Sequence, residues 1–240
     1  MPGLYKDEGI VLKTMKLGEA DRIITLFTRD NGKVRAVAKG IRKTKSRFGG
    51  RLEPYTRVSL LVYKGRNLDT ITSADIVTSG KDVRVDYARL VAASALADLV
   101  DKVTPEHERA PSVYGLLVAG LEALGAHGAS TVVPAFAVKL LSISGYHPQL
   151  RVCAGCGAGA SLGAFSPAIG GAVCERCGAE DHDAMKMSRD CIELIAHLLA
   201  SDFGVVCDER ATSELTHALR RYAEYHLERP LRSLELLTAL

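Results

Sequence analysis

The chain has 240 residues, 47% of them hydrophobic and 25% charged, with a formal net charge of +3, so it can fill one large core or two ordinary ones. No apolar run approaches the roughly 18 to 20 residues that span a bilayer, and the opening MPGLYKD lacks the apolar stretch of a secretory signal. A soluble, cytoplasmic protein without a membrane partner is expected. The charge is uneven: residues 1–80 hold 16 Lys and Arg against 8 Asp and Glu, and the remainder 15 against 20. A basic front on a mildly acidic body fits a polyanion-binding module attached to a protein-interaction body, although a solvated surface gives the same count.

From Asp7 to about Thr78 short β-like runs alternate with turns. Asp30-Asn31-Gly32 joins two alternating runs, Ile24/Leu26 before it and Val34/Val37 after it, and predicts a hairpin. Runs at 58–65 and 68–77 predict another around Gly65-Arg66-Asn67. Five short strands in so few residues suit an OB-fold barrel, with an SH3-like barrel as the competitor that strand count alone does not separate. Between the third and fourth strands lies KGIRKTKSRFGGRLEP, where Lys39, Arg42, Lys43, Lys45, Arg47 and Arg51 precede the first acid, Glu53. Such a loop neutralises phosphates with little regard to sequence, and Lys33 and Arg35 on the adjoining strand extend the candidate DNA-binding set. Phe48 and Tyr55 interleave with the charges and are read either as base-stacking rings or as barrel packing.

After Gly80 the period becomes helical. Leu90, Val91, Leu96, Leu99, Val100 and Val103 recur in a segment that stops before Pro105, and further helices are predicted at 112–125, 132–144, 189–200 with Ser188 as N-cap, and 213–228. The expected organisation is α+β: a five-stranded OB-fold domain over 1–80 and a helical domain over 81–240. A zinc-ribbon-like insert is expected at about 146–182. The Gly/Ala-rich run 157–172 reads as a loop.

Within the insert, Cys153/Cys156 and Cys174/Cys177 form two Cys-x-x-Cys-Gly knuckles about 17 residues apart, the spacing of a four-thiolate zinc site. Four thiolates fill a tetrahedral shell and leave no open position, so one structural Zn2+ per chain is expected. The glycine after each knuckle is expected to accept the tight bend. Cys191 and Cys207 read as small buried hydrophobes, and His182 as a poor substitute for a cysteine ligand. Enzyme motifs fail on context. GASLG around Ser161 spells a nucleophile elbow inside the metal loop, no P-loop is present, and His226-Leu227-Glu228 follows both knuckles where a deaminase needs it before them. A non-enzyme is expected.

The runs DEGIVLKTMKLGEADRIITLFT and DNGKVRAVAKGIRKTKSRFGGRLEPYT, with the order barrel, helical body and embedded cysteines, resemble the bacterial RecO recombination mediators. The resemblance implies binding of single- and double-stranded DNA, annealing of complementary strands, and cooperation with RecR in loading RecA onto strands coated by single-stranded-DNA-binding protein (SSB). It also implies a nucleoid location and a contact with the acidic C-terminal tail of SSB somewhere in the helical domain, at residues the resemblance does not assign. The readings from other classes are a zinc-ribbon nucleic-acid adaptor that binds without annealing, and a zinc-dependent nucleic-acid-modifying enzyme.

Overall fold

The computed structural model describes residues 3–159, 161–205 and 209–237. Alternating apolar residues build five strands: β1 (Leu4–Leu17), β2 (Asp21–Thr28), β3 (Gly32–Ala38), β4 (Arg57–Tyr63) and β5 (Asp69–Thr78). They close in the order β1-β2-β3-β5-β4. All neighbours pair antiparallel except β3 and β5, which meet in parallel at Ala36/Asp69 and Val37/Thr70. That closure is the Greek-key barrel of the OB-fold and decides against the SH3-like alternative. Strand β1 is long enough to serve two neighbours, and a bulge between Val11 and Lys13 bends it from β4 onto β2. Val11, Ile24, Leu26, Val34, Val58, Leu60 and Ile71 fill the interior.

The predicted hairpin is over-determined. The Asp7 carboxylate accepts from the backbone N–H of Asp30 and Asn31 and from the Asn31 amide, at 3.2, 3.1 and 2.7 Å. Gly32 has φ +64°, and a Cβ there would stand 1.9 Å from the Glu108 carbonyl, so both the turn and its neighbour demand glycine.

The chain then becomes helical: α1 (Lys81–Val85), α2 (Tyr87–Val103), α3 (Pro111–His127) and α4 (Ala129–Ile143). Asp86 caps α2 by accepting from Arg89 N–H at 2.8 Å, and Pro111 opens α3, where a missing N–H costs nothing. Strands β6 (Leu162–Ser166) and β7 (Gly171–Cys174) follow, then α5 (Glu175–Glu180), β8 (Met185–Lys186), α6 (Arg189–Ala200), α7 (Glu209–Leu227) and α8 (Arg232–Leu237). Ser188 caps α6 as expected, accepting from Cys191 N–H at 3.2 Å. The run 157–172 is corrected: β6 lies inside it.

Two compact units result, one ending at Leu121 and the other beginning at Glu122. Helices α1, α2 and most of α3 therefore pack with the barrel. Arg84 donates to the Pro54 carbonyl at 2.7 Å, and Glu8 accepts from Arg57 and from the Tyr114 hydroxyl at 2.7 and 2.9 Å. Asp101 of α2 pairs with Lys13 and Lys33 of the barrel at 2.5 and 3.3 Å. Burial alone would raise the Asp101 carboxyl, but the two ammonium groups hold it below the usual carboxylate range. A depressed carboxyl contributes stability above its unfolded value, about pH 4, and loses it as pH falls through the folded value. Asp101→Asn is therefore expected to cost about 2 kcal/mol at neutral pH and to flatten the acid limb of stability in urea unfolding series below about pH 4.

Within the second unit, α4 packs against α6 and α7, burying Val132, Val133, Phe136, Leu140, Ile195, Leu198, Leu215 and Leu219. No described helix is long and apolar enough to cross a membrane.

Candidate nucleic-acid interface and metal centre

The basic segment leaves β3 at Ala38 and enters β4 at Arg57 as a succession of turns. Its backbone is stitched to the barrel. Gly40 N–H donates to Asp21 Oδ1 at 2.7 Å and Arg42 N–H to the Ala20 carbonyl at 2.9 Å. Internal turns follow, from Lys43 to Gly40, Ser46 to Lys43 and Arg51 to Phe48. Two apolar side chains anchor it: Phe48 and Leu52, 1% and 0% exposed, belong to the barrel core. With the apolar residues inward, the cations are left outward. Lys39, Arg42, Lys43, Lys45 and Arg47 are exposed, and among the described residues no acid pairs with any of them. Two acids beside the segment are engaged: Glu53 with Arg22 at 3.5 Å, and Asp21 with the Gly40 amide.

The remaining expected residues are placed differently. Arg51 is half-buried and its guanidinium caps the Arg47 and Phe48 carbonyls at 2.9 and 3.3 Å, so it holds the segment as well as carrying charge. Lys33 is turned inward: it is 8% exposed, and its ammonium meets the Asp101 carbonyl at 2.5 Å. It presents nothing to a phosphate. Arg35 is half-buried, 3.8 Å from Glu106. Phe48 is a core residue rather than a stacking ring, with the Arg47 guanidinium lying over it at 4.9 Å. Tyr55 is half-buried with φ +65°, and burial raises its hydroxyl above the usual phenol range. The sequence offers no periodic signal for this packing, because the segment is neither helix nor strand.

In the second unit, β7, β6 and β8 form a three-stranded sheet in that order, and the cysteines converge at one end of it. Cys153 and Cys156 lie on a turn closed by Cys153 N–H to the Ala158 carbonyl and Gly157 N–H to the Cys153 carbonyl, at 2.9 and 2.8 Å. Cys174 ends β7, and Cys177 sits in the first turn of α5. The four sulfurs all lie within 4.8 Å of one another. The Cys156–Cys174 separation of 3.9 Å is close to the edge of about 3.8 Å that a tetrahedron gives with metal–sulfur bonds of about 2.3 Å.

The two glycines after the knuckles have different duties. Gly157 has φ +75°, as the bend requires, whereas Gly178 lies inside α5, where a Cβ would press on Ala164 at 3.2 Å. Burial would push the Cys153 thiol up, but N–H groups of Cys156, Cys174 and Gly155 point at its sulfur and hold it at about 6. The sulfurs of Cys174 and Cys153 push the Cys177 thiol up to about 12. Close packing of four thiols at this separation is relieved by a soft cation. The donor set fits a metal, in a closed all-sulfur shell that leaves His182 outside.

Cys191 is buried on α6, and Cys207 lies outside the described residues. Ser161 stands just before β6, and among the described residues no strand leads into it, so the elbow's strand–turn–helix context is not met.

The family models described as Recombination protein O N terminal and Recombination protein O C terminal match residues 1–79 and 84–235. The chain belongs to the RecO family. It is 41% identical over 240 residues to a DNA repair protein RecO of Bifidobacterium longum, covering 98% of each chain. It is 44% identical to the RecO proteins of a Nocardioides species, over 96% of this chain and 98% of the relative, and of Frankia casuarinae, over 96% and 97%. The family is one of DNA repair, and the exposed cationic segment and the cysteine cluster are the two sites on which a repair function is to be read.

Proposed function

We propose that the chain is a recombination mediator: it binds single- and double-stranded DNA, anneals complementary strands, and with RecR helps load RecA onto SSB-coated single strands. Family membership supports the reading, and the observation that carries it is the outward row Lys39, Arg42, Lys43, Lys45 and Arg47, free of acidic partners among the described residues and set on an anchored backbone. A fixed row of cations meets the phosphates of any strand without reading its bases, which is what annealing requires. Arg51 and Arg35 stand at the edge of the row, and Lys33 drops out of it. With Phe48 in the core, affinity rests on charge rather than on stacking.

In this reading residues 1–80 are the DNA-binding module and residues 81–240 the partner-binding module that meets RecR and the SSB tail. The protein works in the cytoplasm at the nucleoid and makes or breaks no covalent bond in DNA. Cys153, Cys156, Cys174 and Cys177 hold one structural Zn2+, which supplies a cross-link for a module with a small apolar cluster of Cys153, Ala164 and Val173 and partly buried neighbours such as Ala154, Leu162 and Ile169.

The direct test is a fluorescence assay of two complementary strands coated with SSB. Rapid duplex formation on adding the protein is the expected result. Binding of naked strands without annealing would move the reading to a nucleic-acid adaptor.

A further inference from the structure

The four cysteines differ in access. Cys153 is 1% exposed, Cys174 and Cys177 are half-buried, and Cys156 stands exposed on its turn. A cysteine sulfur reacts as the thiolate, and coordination keeps all four in that form, so access decides which one an oxidant reaches. Cys156 also has a partner in place, Cys174 Sγ at 3.9 Å.

We propose that Cys156 is an oxidation site, and that its reaction with a hydroperoxide closes a Cys156–Cys174 disulfide and expels the metal. The inference rests on the structural-zinc reading above. The Cys156 thiolate attacks one oxygen of hydrogen peroxide, the O–O bond breaks and hydroxide leaves, giving a sulfenic acid. The Cys174 thiolate then attacks that sulfur, the S–S bond forms and a second hydroxide leaves. Two thiolates lose two electrons in all, one peroxide is reduced to two hydroxides, and the two remaining sulfurs are too few to hold Zn2+.

The consequence reaches beyond the site. Phe165 of β6 packs edge-on against Tyr222 of α7 with ring centres 5.3 Å apart, and Asp183 pairs with Arg221 at 3.2 Å. Loss of the metal therefore loosens the seat of α7, so an oxidant acts on the helical unit.

The test uses the full-length protein with its zinc content measured first. Hydrogen peroxide is added, zinc release is followed with a chromogenic chelator, and the cysteines are mapped by alkylation and peptide mass spectrometry. The expected result is near-complete loss of zinc, one Cys156–Cys174 disulfide for each zinc released, and recovery with a dithiol reductant plus zinc. Cys156→His, which retains a three-cysteine, one-histidine shell, is expected to release its zinc at least several-fold more slowly. Should that variant not take up zinc, the disulfide map of the unmodified protein decides. Zinc retained under conditions that fully oxidise a free cysteine peptide, a first disulfide through Cys153, or equally fast release from the histidine variant would overturn the proposal. Protein that holds no zinc before oxidation would contradict the metal reading itself, and the switch with it.

Discussion

Replacing Arg42, Lys43, Lys45 and Arg47 with glutamine is expected to lower the slope of log affinity against log salt by roughly 3 on single strands and by between 3 and 4, roughly, on duplex. The arithmetic takes about 0.7 and 0.9 per phosphate contact for the two substrates. The loss should be alike for every sequence, because phosphate contacts carry no base information. All four side chains are exposed and, among the described residues, without acidic partners; Phe48 and Leu52, which seat the segment, are kept, and what is lost besides charge is the exposed Arg42 bond to the Gly18 carbonyl at 3.2 Å and the Arg47 guanidinium over the Phe48 ring at 4.9 Å. The variant should thus stay folded and melt only slightly below the parent protein, which separates a lost contact from a lost fold. Arg51 is left in place because its guanidinium caps two carbonyls of the segment. Anisotropy titrations at several salt concentrations give the slope, and an unchanged slope would remove the segment from the interface.

Cys153→Ser is expected to produce the largest loss of stability in the second unit. Structural zinc contributes an apparent binding free energy of about 10 to 16 kcal/mol, comparable with or larger than the roughly 5 to 15 kcal/mol that separates folded from unfolded states of a domain. Cys153 is also the most buried of the four ligands and accepts from the Cys174 amide at 3.4 Å, so the exchange removes a ligand and a packing contact together. Metal analysis should show zinc falling from about one per chain to a small fraction of that. Hydrogen exchange should show β6, β7 and α5 unprotected while α4 and α6 keep more of their protection. A variant that keeps its zinc, or protected β6 and β7 without metal, would contradict the assignment.

What could be read from the sequence followed the range of the interactions responsible. The barrel was legible because alternation and turn residues are local: Asp30-Asn31-Gly32 announces its hairpin, and the helical stripe of α2 announces itself by period. Which barrel it was needed the parallel meeting of Ala36 with Asp69, a pairing across 33 residues that no local pattern encodes. The inward turn of Lys33 was hidden for the same reason, since Asp101 lies 68 residues away. Strand β6 escaped because Leu162-Gly163-Ala164 gives little alternation, and its extended form comes from pairing with β7 beside the cysteines. Helix α4 begins at Ala129 rather than 132, which places Pro134 inside the helix rather than in its first turn, where a local reading puts it. At the sites, the cysteine spacing was sufficient to foresee the cluster of four sulfurs, whereas the division of the basic segment into outward cations and inward anchors required the barrel end that receives Phe48.

Position-resolved lysine acetylation, read by mass spectrometry with and without single-stranded DNA, tests the central claim most directly. Lys39, Lys43 and Lys45 are expected to react freely alone and to be strongly protected by DNA, while the buried Lys33 reacts poorly in both states. Equal reactivity of Lys39, Lys43 and Lys45 in the two states, with protection appearing elsewhere, would contradict the account.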